Sequence, residues 1–163
     1  MKRGDLMATP TESEQVQYRI MNVRGAKGSM GIERQYDIFF TENGIAFAVT
    51  ASGLAMAAGA AGAGGFGMVG GLVGSLVKDS KVGKAKEKYQ GLSLPQVLAL
   101  NEKSFYLAYP EVVQVTLKKG MTGISKMDVF ISDGKYHCEF SKDQFETANS
   151  AIKEKLATKI KSE

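Results

Sequence analysis

The sequence predicts a mostly β fold of the α+β class, with about seven short antiparallel strands closed by a C-terminal amphipathic helix. Apolar residues alternate on both sides of a turn within Gln35–Thr50, which is typical of a β-hairpin. After Ser141, apolar residues recur at intervals of three and four, which is typical of a helix. Residues 51–77 carry no charged side chain and fit neither pattern, so they are interpreted as an insert.

The N-terminal half contains three strand signals. Val16, Tyr18 and Ile20 share one face of a strand predicted over Val16–Val23. Three glycines then predict a loop over Arg24–Gly31. The hairpin alternates through Tyr36, Ile38 and Phe40, turns at Thr41-Glu42-Asn43-Gly44, and continues through Ile45, Phe47 and Val49.

The C-terminal half is predicted to contain one short helix and four strands. Ser93 as N-cap and Pro95 in the first turn favour a helix over Leu94–Leu100. Val113, Val115 and Leu117 alternate and are expected to share one face of their strand. The predicted strands are Ser104–Ala108, Val112–Leu117, Met127–Ile131 and Tyr136–Phe140, with turns at Gly120–Gly123 and Ser132-Asp133-Gly134-Lys135.

The terminal helix is predicted from its cap and its apolar stripe. Ser141 followed three residues later by Gln144 is a capping-box pattern. The stripe runs through Phe145, Ala148, Ile152, Leu156 and Ile160. Lysines lie mostly off this stripe, so the helix is expected to pack one apolar face against the strands.

The insert is a run of small residues with a period of four. Nine of the nineteen glycines lie between Gly53 and Gly74. Small residues spaced four apart form a groove on a helix, as in a glycine zipper, where another backbone can approach closely. The candidate membrane or self-association residues are Gly59, Gly67 and Gly71 on this ladder, and Gly70 and Gly74 on an adjacent row. The alternative is a mobile low-complexity loop within a soluble protein-binding domain.

Chain length limits how the insert meets a membrane. If its two ends join one folded domain, a hairpin bent near Gly64-Gly65 leaves arms of about 18 Å, at about 1.5 Å per residue. The hydrocarbon core is about 30 Å thick, so such arms enter one leaflet without spanning. Lysines after the hairpin are then candidate contacts to an anionic surface: Lys78, Lys81 and Lys84. The rival interpretation is a small integral membrane protein with one span at 51–77.

The predicted organisation is one domain with a tail and an insert. Residues 1–15 are expected to be a disordered tail, 16–50 plus 89–161 the domain, and 51–88 the insert with its Lys-rich end. The single cysteine, Cys138, and the absence of an apolar run after the basic N-terminal residues favour a cytoplasmic protein. A net charge of +4 fits a peripheral position at the inner membrane face. Expected partners are a membrane surface, another protein or a second copy, and not nucleic acid.

Two segments resemble prokaryotic PH-like and GRAM-like domains. The hairpin from Tyr36 to Ile45 looks like their "strand, T-x-x-G, strand" element, and Tyr109-Pro110-Glu111-Val112-Val113-Gln114-Val115 resembles their "aromatic, x, I/V, x, x, V" strand entry. Gly134 and the terminal helix follow in the same order. The resemblance covers roughly residues 16–50 and 89–161 and implies a PH-like antiparallel barrel with a C-terminal helix.

The sequence departs from that family in two ways. Eukaryotic PH domains usually carry a tryptophan in the terminal helix, and this chain has none. Arg24, Lys27 and Arg34 lie near the first inter-strand loop but lack the spacing of the phosphoinositide signature, so that ligand is not carried over.

Residues that carry enzyme chemistry are sparse. His137 and Cys138 are adjacent on a predicted strand, so their side chains point to opposite faces. His137 is expected on the surface and Cys138 in the core. Gly62, Gly64 and Gly67 match G-x-G-x-x-G, but no strand directly precedes them and no βαβ unit surrounds them. We therefore expect a non-catalytic association module with no cofactor and no metal.

Overall fold

A computed structural model describes residues 8–28, 31–52, 89 and 91–161. Within these ranges, eight strands form one sheet in the order β4-β3-β2-β1-β7-β6-β5-β8. The strands are β1 (Val16–Lys27), β2 (Arg34–Thr41), β3 (Gly44–Ser52), β4 (Phe105–Ala108), β5 (Val112–Lys118), β6 (Ile124–Ile131), β7 (Gly134–Ser141) and β8 (Ile160–Lys161), and the α-helices are α1 (Leu94–Ala99) and α2 (Phe145–Lys155). All pairs are antiparallel except β5 with β8. The predicted mostly β, α+β class with a C-terminal helix is confirmed.

The hairpin of β2 and β3 is confirmed, and its turn explains the T-x-x-G spacing. The Thr41 hydroxyl lies 2.9 Å from the Gly44 carbonyl oxygen, and the Gly44 amide donates to Thr41 Oγ1 at 3.1 Å. A Cβ at Gly44 would lie 2.4 Å from the Leu107 carbonyl oxygen and 2.5 Å from the Tyr106 ring. Glycine is therefore required because β4 passes directly against the turn.

Strand β1 is longer than predicted and replaces much of the expected loop at Arg24–Gly31. Its first part pairs with β2, and the segment from Arg24 to Lys27 also pairs with β7. Between these parts a bulge places Asn22 at φ 56°. Gly25 is part of the strand because a Cβ there would lie 3.0 Å from the Tyr36 ring. The glycines of this segment predict a loop, but Gly25 is required by close packing against Tyr36 within a strand.

The sheet curls strongly but does not close into the predicted barrel. Four strand spacings separate β4 from β7, which is about 19 Å in a flat sheet. Nevertheless Phe105 on β4 stacks on Tyr136 of β7 with ring centroids 4.7 Å apart. Phe47 contacts both rings, at 4.5 and 5.7 Å. These ring contacts cross the inside of the curled sheet, because β7 already pairs with β1 and β6. Among the described strands, β4 and β8 remain the sheet edges that a closed barrel would join.

The end of the chain differs from the predicted stripe. Helix α2 buries Ala148, Ala151 and Ile152, then ends at Lys155, and Leu156 follows buried with φ −131°. Ile160 is not helical because a 3-10 turn redirects the chain and β8 pairs with β5. Gln144 does not complete a box with the Ser141 backbone. Its side chain instead accepts from the Met21 amide at 2.6 Å and donates to the Met21 carbonyl at 2.8 Å.

Strand β5 is also out of the predicted register. A bulge between Val112 and Gln114 turns Val112 and Val115 into the core and leaves Val113 exposed. Leu117 packs against the core only in part. The prediction that Val113, Val115 and Leu117 share one face is therefore wrong at Val113, since one extra residue inverts the alternation on its side of the bulge.

The two faces of the sheet are covered unequally. The inner face encloses the main core, which includes Ile20, Ile38, Phe40, Phe47, Met127 and Ile152. On the outer face, a smaller cluster covers part of β2, β3 and β4 and joins Phe39, Ala46, Ala48 and Tyr106 to Leu94 and Val97 of α1. The predicted helix at Leu94–Leu100 thus exists as α1, and Gln96 Oε1 accepts from the Ser93 amide at 2.8 Å.

Candidate binding surface at the insert end of the sheet

The residues predicted to carry association lie outside the described part of the chain. These are the glycines Gly59, Gly67, Gly70, Gly71 and Gly74 and the lysines Lys78, Lys81 and Lys84. The structure describes the points where the insert leaves and rejoins the domain. The site is therefore built from the residues around those two points.

Both ends of the insert meet strand β2. Ser52, at the end of β3, pairs with Arg34. Tyr89, after the insert, donates its hydroxyl to Asp37 at 2.6 Å and sets its ring edge-on to Phe39 at 5.3 Å. Arg34 and Asp37 are three residues apart, which is about 10 Å along a strand. The chain therefore leaves at one end of β2, called here the insert end, and returns over the middle of the same strand.

Asp37 anchors the returning chain from inside the protein. Its side chain is fully buried and also accepts from the Asn22 amide at 3.1 Å. A buried carboxylate needs such donors because its desolvation is costly. Burial raises the pKa of Tyr89, and the neighbouring Asp37 raises it further. Tyr89 therefore remains a neutral donor, and its hydrogen bond fixes where the insert ends.

A basic rim surrounds the insert end, formed by Arg24, Lys27, Arg34 and Lys135. Their mutual placement follows from β1–β7 pairing and from the Gly28 amide, which donates to the Lys135 carbonyl at 2.8 Å. Three of them have acidic neighbours, with N–O distances of 2.9 Å for Arg24–Glu33, 3.1 Å for Lys27–Asp133 and 3.5 Å for Lys135–Asp128, of which Asp128 is partly buried and the other two carboxylates are exposed. Exposed pairs of this kind contribute little stability and exchange readily for other anions.

Arg34 differs from the rest of the rim. Its Nε is buried and has no hydrogen-bond partner among the described residues. Its guanidinium faces the hydroxyl of Tyr36, whose pKa is raised by burial and partly lowered by this arginine. A buried donor without a partner is costly, so Arg34 has spare capacity for an acceptor arriving at the insert end.

Apolar exposure accompanies the charge. Ile32, between β1 and β2, is 63% exposed. The opposite end of the sheet also combines apolar and basic residues, with Met121 96% exposed beside Lys119 and Lys126. The insert end is distinguished from it by Arg34 and by the start of the insert at Ser52.

The outer face of β5, β6 and β7 carries a shallow groove of about 190 Å³, lined by Thr116, Leu117, Lys118, Lys126, Asp128 and His137. His137 Nδ1 lies 2.5 Å from Asp128 Oδ1, and Nε2 lies 3.5 Å from Glu139 Oε1. Lys126 Nζ lies 3.3 Å from the same Glu139 oxygen. These groups pair with one another, which indicates a solvated charged face.

His137 and Cys138 point to opposite faces, as predicted. His137 is half exposed in the groove, whereas Cys138 is 1% exposed within the core. Burial, with a smaller contribution from Asp128, raises the pKa of the Cys138 thiol to about 12. The thiol is therefore protonated at neutral pH and behaves as a small core side chain.

Metal binding and membrane crossing are considered for the described residues. No group of three or more His, Cys, Asp or Glu side chains among them is arranged to hold a metal ion. In the same part of the chain, neither helix combines the length and apolar character needed to cross a bilayer. The predicted alternative of one span at 51–77 lies outside these residues.

Comparison with known proteins identifies no family. No protein-family model and no curated protein matches the chain. Among solved structures, the chain is similar to the C-terminal domain of an unknown protein from Leishmania infantum, with 13% sequence identity and a TM-score of 0.45. That similarity covers 87% of this chain and 84% of the other.

Proposed function

We propose that this chain is a non-catalytic membrane-association module. The insert end faces an anionic bilayer, the basic rim contacts lipid headgroups, and the Gly/Ala segment enters one leaflet as a glycine-zipper hairpin or pairs with a second copy. One observation carries the proposal: Ser52, where the insert begins, pairs with Arg34, and β1 pairs with both β2 and β7 next to this point, in the segment that carries Arg24 and Lys27. A single span at 51–77 is disfavoured, because Ser52 and Tyr89 both attach to β2.

The domain itself is proposed to be PH-like. Three features support this: two antiparallel meanders joined through a bent first strand, strong curl of the sheet, and a helix directly after β7. The unpaired edges at β4 and β8 are a departure from a closed barrel. A PH-like domain is commonly a binding scaffold, which agrees with the charged rim and uncovered outer face.

The energetics favour a charge-dependent contact. A lysine near an anionic membrane surface contributes about 1 kcal/mol. The rim residues can exchange their exposed carboxylate partners for lipid phosphates at little cost. Apolar residues of the insert add burial that does not depend on salt. Binding is therefore expected to weaken with salt without disappearing.

Flotation with liposomes tests the proposal. The probe is the full chain mixed with vesicles of phosphatidylcholine, with or without phosphatidylserine. Lys27→Gln combined with Lys135→Gln should lower the partition coefficient on the anionic vesicles by about 10- to 30-fold, since two lysine contributions are lost. On neutral vesicles the same variant should behave like the original chain.

The opposite end of the sheet offers a matched control. Lys119→Gln with Lys126→Gln removes the same charge from lysines of similar exposure, paired at 3.1 and 3.3 Å. This control should lower binding by less than about threefold. If it weakens binding as much as the rim variant, the insert end is not the membrane-facing surface. If neither variant changes binding, the electrostatic part of the proposal fails.

A further inference from the structure

A carboxylate pocket lies at the other end of the β2–β3 hairpin. Residues Thr11–Glu14 belong to the segment predicted to be a disordered tail, yet residues 8–15 lie against the sheet with Pro10 buried. The Glu14 amide donates to the Thr11 carbonyl at 3.1 Å. This turn directs the Glu14 carboxylate between the hairpin turn and β4.

Three donors from separate places surround one oxygen of Glu14. Oε1 accepts from the Thr41 hydroxyl, from the Tyr106 hydroxyl at 2.5 Å and from the Asn43 amide at 3.2 Å. Thr41 is fully buried and Tyr106 is 4% exposed. Burial opposes ionisation of Glu14, but these hydrogen bonds outweigh it and lower the pKa of the carboxyl group. The pocket therefore selects an ionised carboxylate.

The pocket can also exist empty without leaving buried groups unsatisfied. The Thr41 hydroxyl has one hydrogen and two acceptors within reach, Glu14 and the Gly44 carbonyl at 2.9 Å. If the carboxylate leaves, that hydrogen turns to Gly44. Tyr106, whose hydroxyl lies 3.3 Å from Thr41 Oγ1, then donates to Thr41. Asn43 lies in an exposed turn, so water can satisfy its amide.

We propose that Thr41, Tyr106 and Asn43 form a recognition site for the carboxylate of an acidic peptide segment, and that Glu14 occupies it as an internal ligand. A partner segment that presents a glutamate after a similar turn would displace residues 8–15. Displacement exchanges one set of three hydrogen bonds for an equal set and uncovers the site of Pro10, while every strand pair of the sheet stays in place. This inference does not depend on membrane association.

An NMR chemical-shift titration tests whether the carboxylate of a separate peptide can take the place of Glu14 in the pocket. The host is the full chain carrying Glu14→Ala, and the probe is a peptide of residues 8–16 with its natural glutamates. The peptide should return the Asn43 and Gly44 amide resonances toward their positions in the unmodified chain. A peptide with Glu14→Gln should bind at least about tenfold more weakly, because hydrogen bonds to a charged acceptor are stronger.

A peptide with Glu12→Gln is the matched control, since Glu12 is exposed and lies two residues away. It should bind like the natural peptide. Equal binding by the Glu14→Gln peptide, or no binding by any peptide at millimolar concentration, would overturn the inference. If Glu14→Ala does not fold, Glu14→Gln is the second host, because it keeps the side-chain volume and removes only the charge.

Discussion

The main core and the smaller outer cluster are stabilised in different ways. The main core is closed by large apolar side chains from seven strands and α2, with Phe40, Phe47 and Ile152 almost fully buried. Among the residues that the structure describes, the outer cluster has six buried members and borders two buried polar anchors, Asp37 with Tyr89 and Thr41 with Glu14. Burial of apolar area is enough to stabilise the main core. The outer cluster depends in addition on hydrogen bonds that attach segments distant in sequence to the sheet.

The contrast shows which parts of the domain can change partner. Buried apolar contacts are non-directional and numerous, so no single segment can leave the core cheaply. A segment held by one carboxylate or one hydroxyl can be replaced by another that offers the same group. Each of the following variants tests one side of this difference.

Leu156→Ala should have the largest effect. Leu156 is 2% exposed in the main core, and we expect a loss of about 2–5 kcal/mol in the free energy of unfolding. Leu94→Ala in the outer cluster should cost at least about 1 kcal/mol less, because the short helix α1 can settle into the space. Urea denaturation of both variants checks this, and equal losses would remove the distinction between the clusters.

Tyr89→Phe should have an intermediate effect. It removes the donor 2.6 Å from the buried Asp37 carboxylate, and we expect a loss of about 1–3 kcal/mol. Tyr109→Phe is the comparison, since its hydroxyl donates to the neutral Thr41 carbonyl at 2.7 Å and should cost only about 0.5–1.5 kcal/mol. Thermal unfolding of the two variants would contradict the anchor role if Tyr109→Phe were the more damaging.

Glu14 should have the smallest effect, and one that depends on pH. Its pKa is lowered in the folded chain, so its stabilisation is complete above the ordinary glutamate pKa of about 4.3 and is lost as pH falls through the lowered value. Glu14→Gln should therefore reduce stability at pH 7, and its effect should shrink as the pH is lowered below the ordinary glutamate pKa. A stability difference that stays constant over this range would show that the carboxylate charge is not what holds residues 8–15.

Local patterns predicted the regular elements and missed the long-range contacts. The period of two in β2 and β3 and the caps of α1 depend on neighbouring residues, so the sequence reveals them. The bulge at Val113 and the strand at Ile160 depend on β6 and β5 partners distant in sequence. Gly25 was interpreted as a loop residue because nothing local shows that Tyr36 packs on it.

The candidate sites follow the same division. The Lys-rich end of the insert is visible as composition, whereas the basic rim requires β1, β2 and β7 to be placed side by side. Glu14 and Tyr89 were not singled out, since each sits in a polar stretch with no periodicity. The role of Glu14 can be recognised only after the fold places Thr41 and Tyr106 in contact with it. The role of Tyr89 likewise requires its contact with Asp37.

The gap between β4 and β7, across the inside of the curled sheet, has a consequence for local opening. Only side chains bridge it, so separating the two strands would break ring contacts without breaking a backbone ladder. Strand β4 has four residues and one described ladder, with β3. Its amides should exchange with deuterium earlier than those of β1 and β7, which pair on both sides. Strand β4 is therefore expected to separate from the rest of the sheet by local unfolding, next to β3, from which the insert leaves.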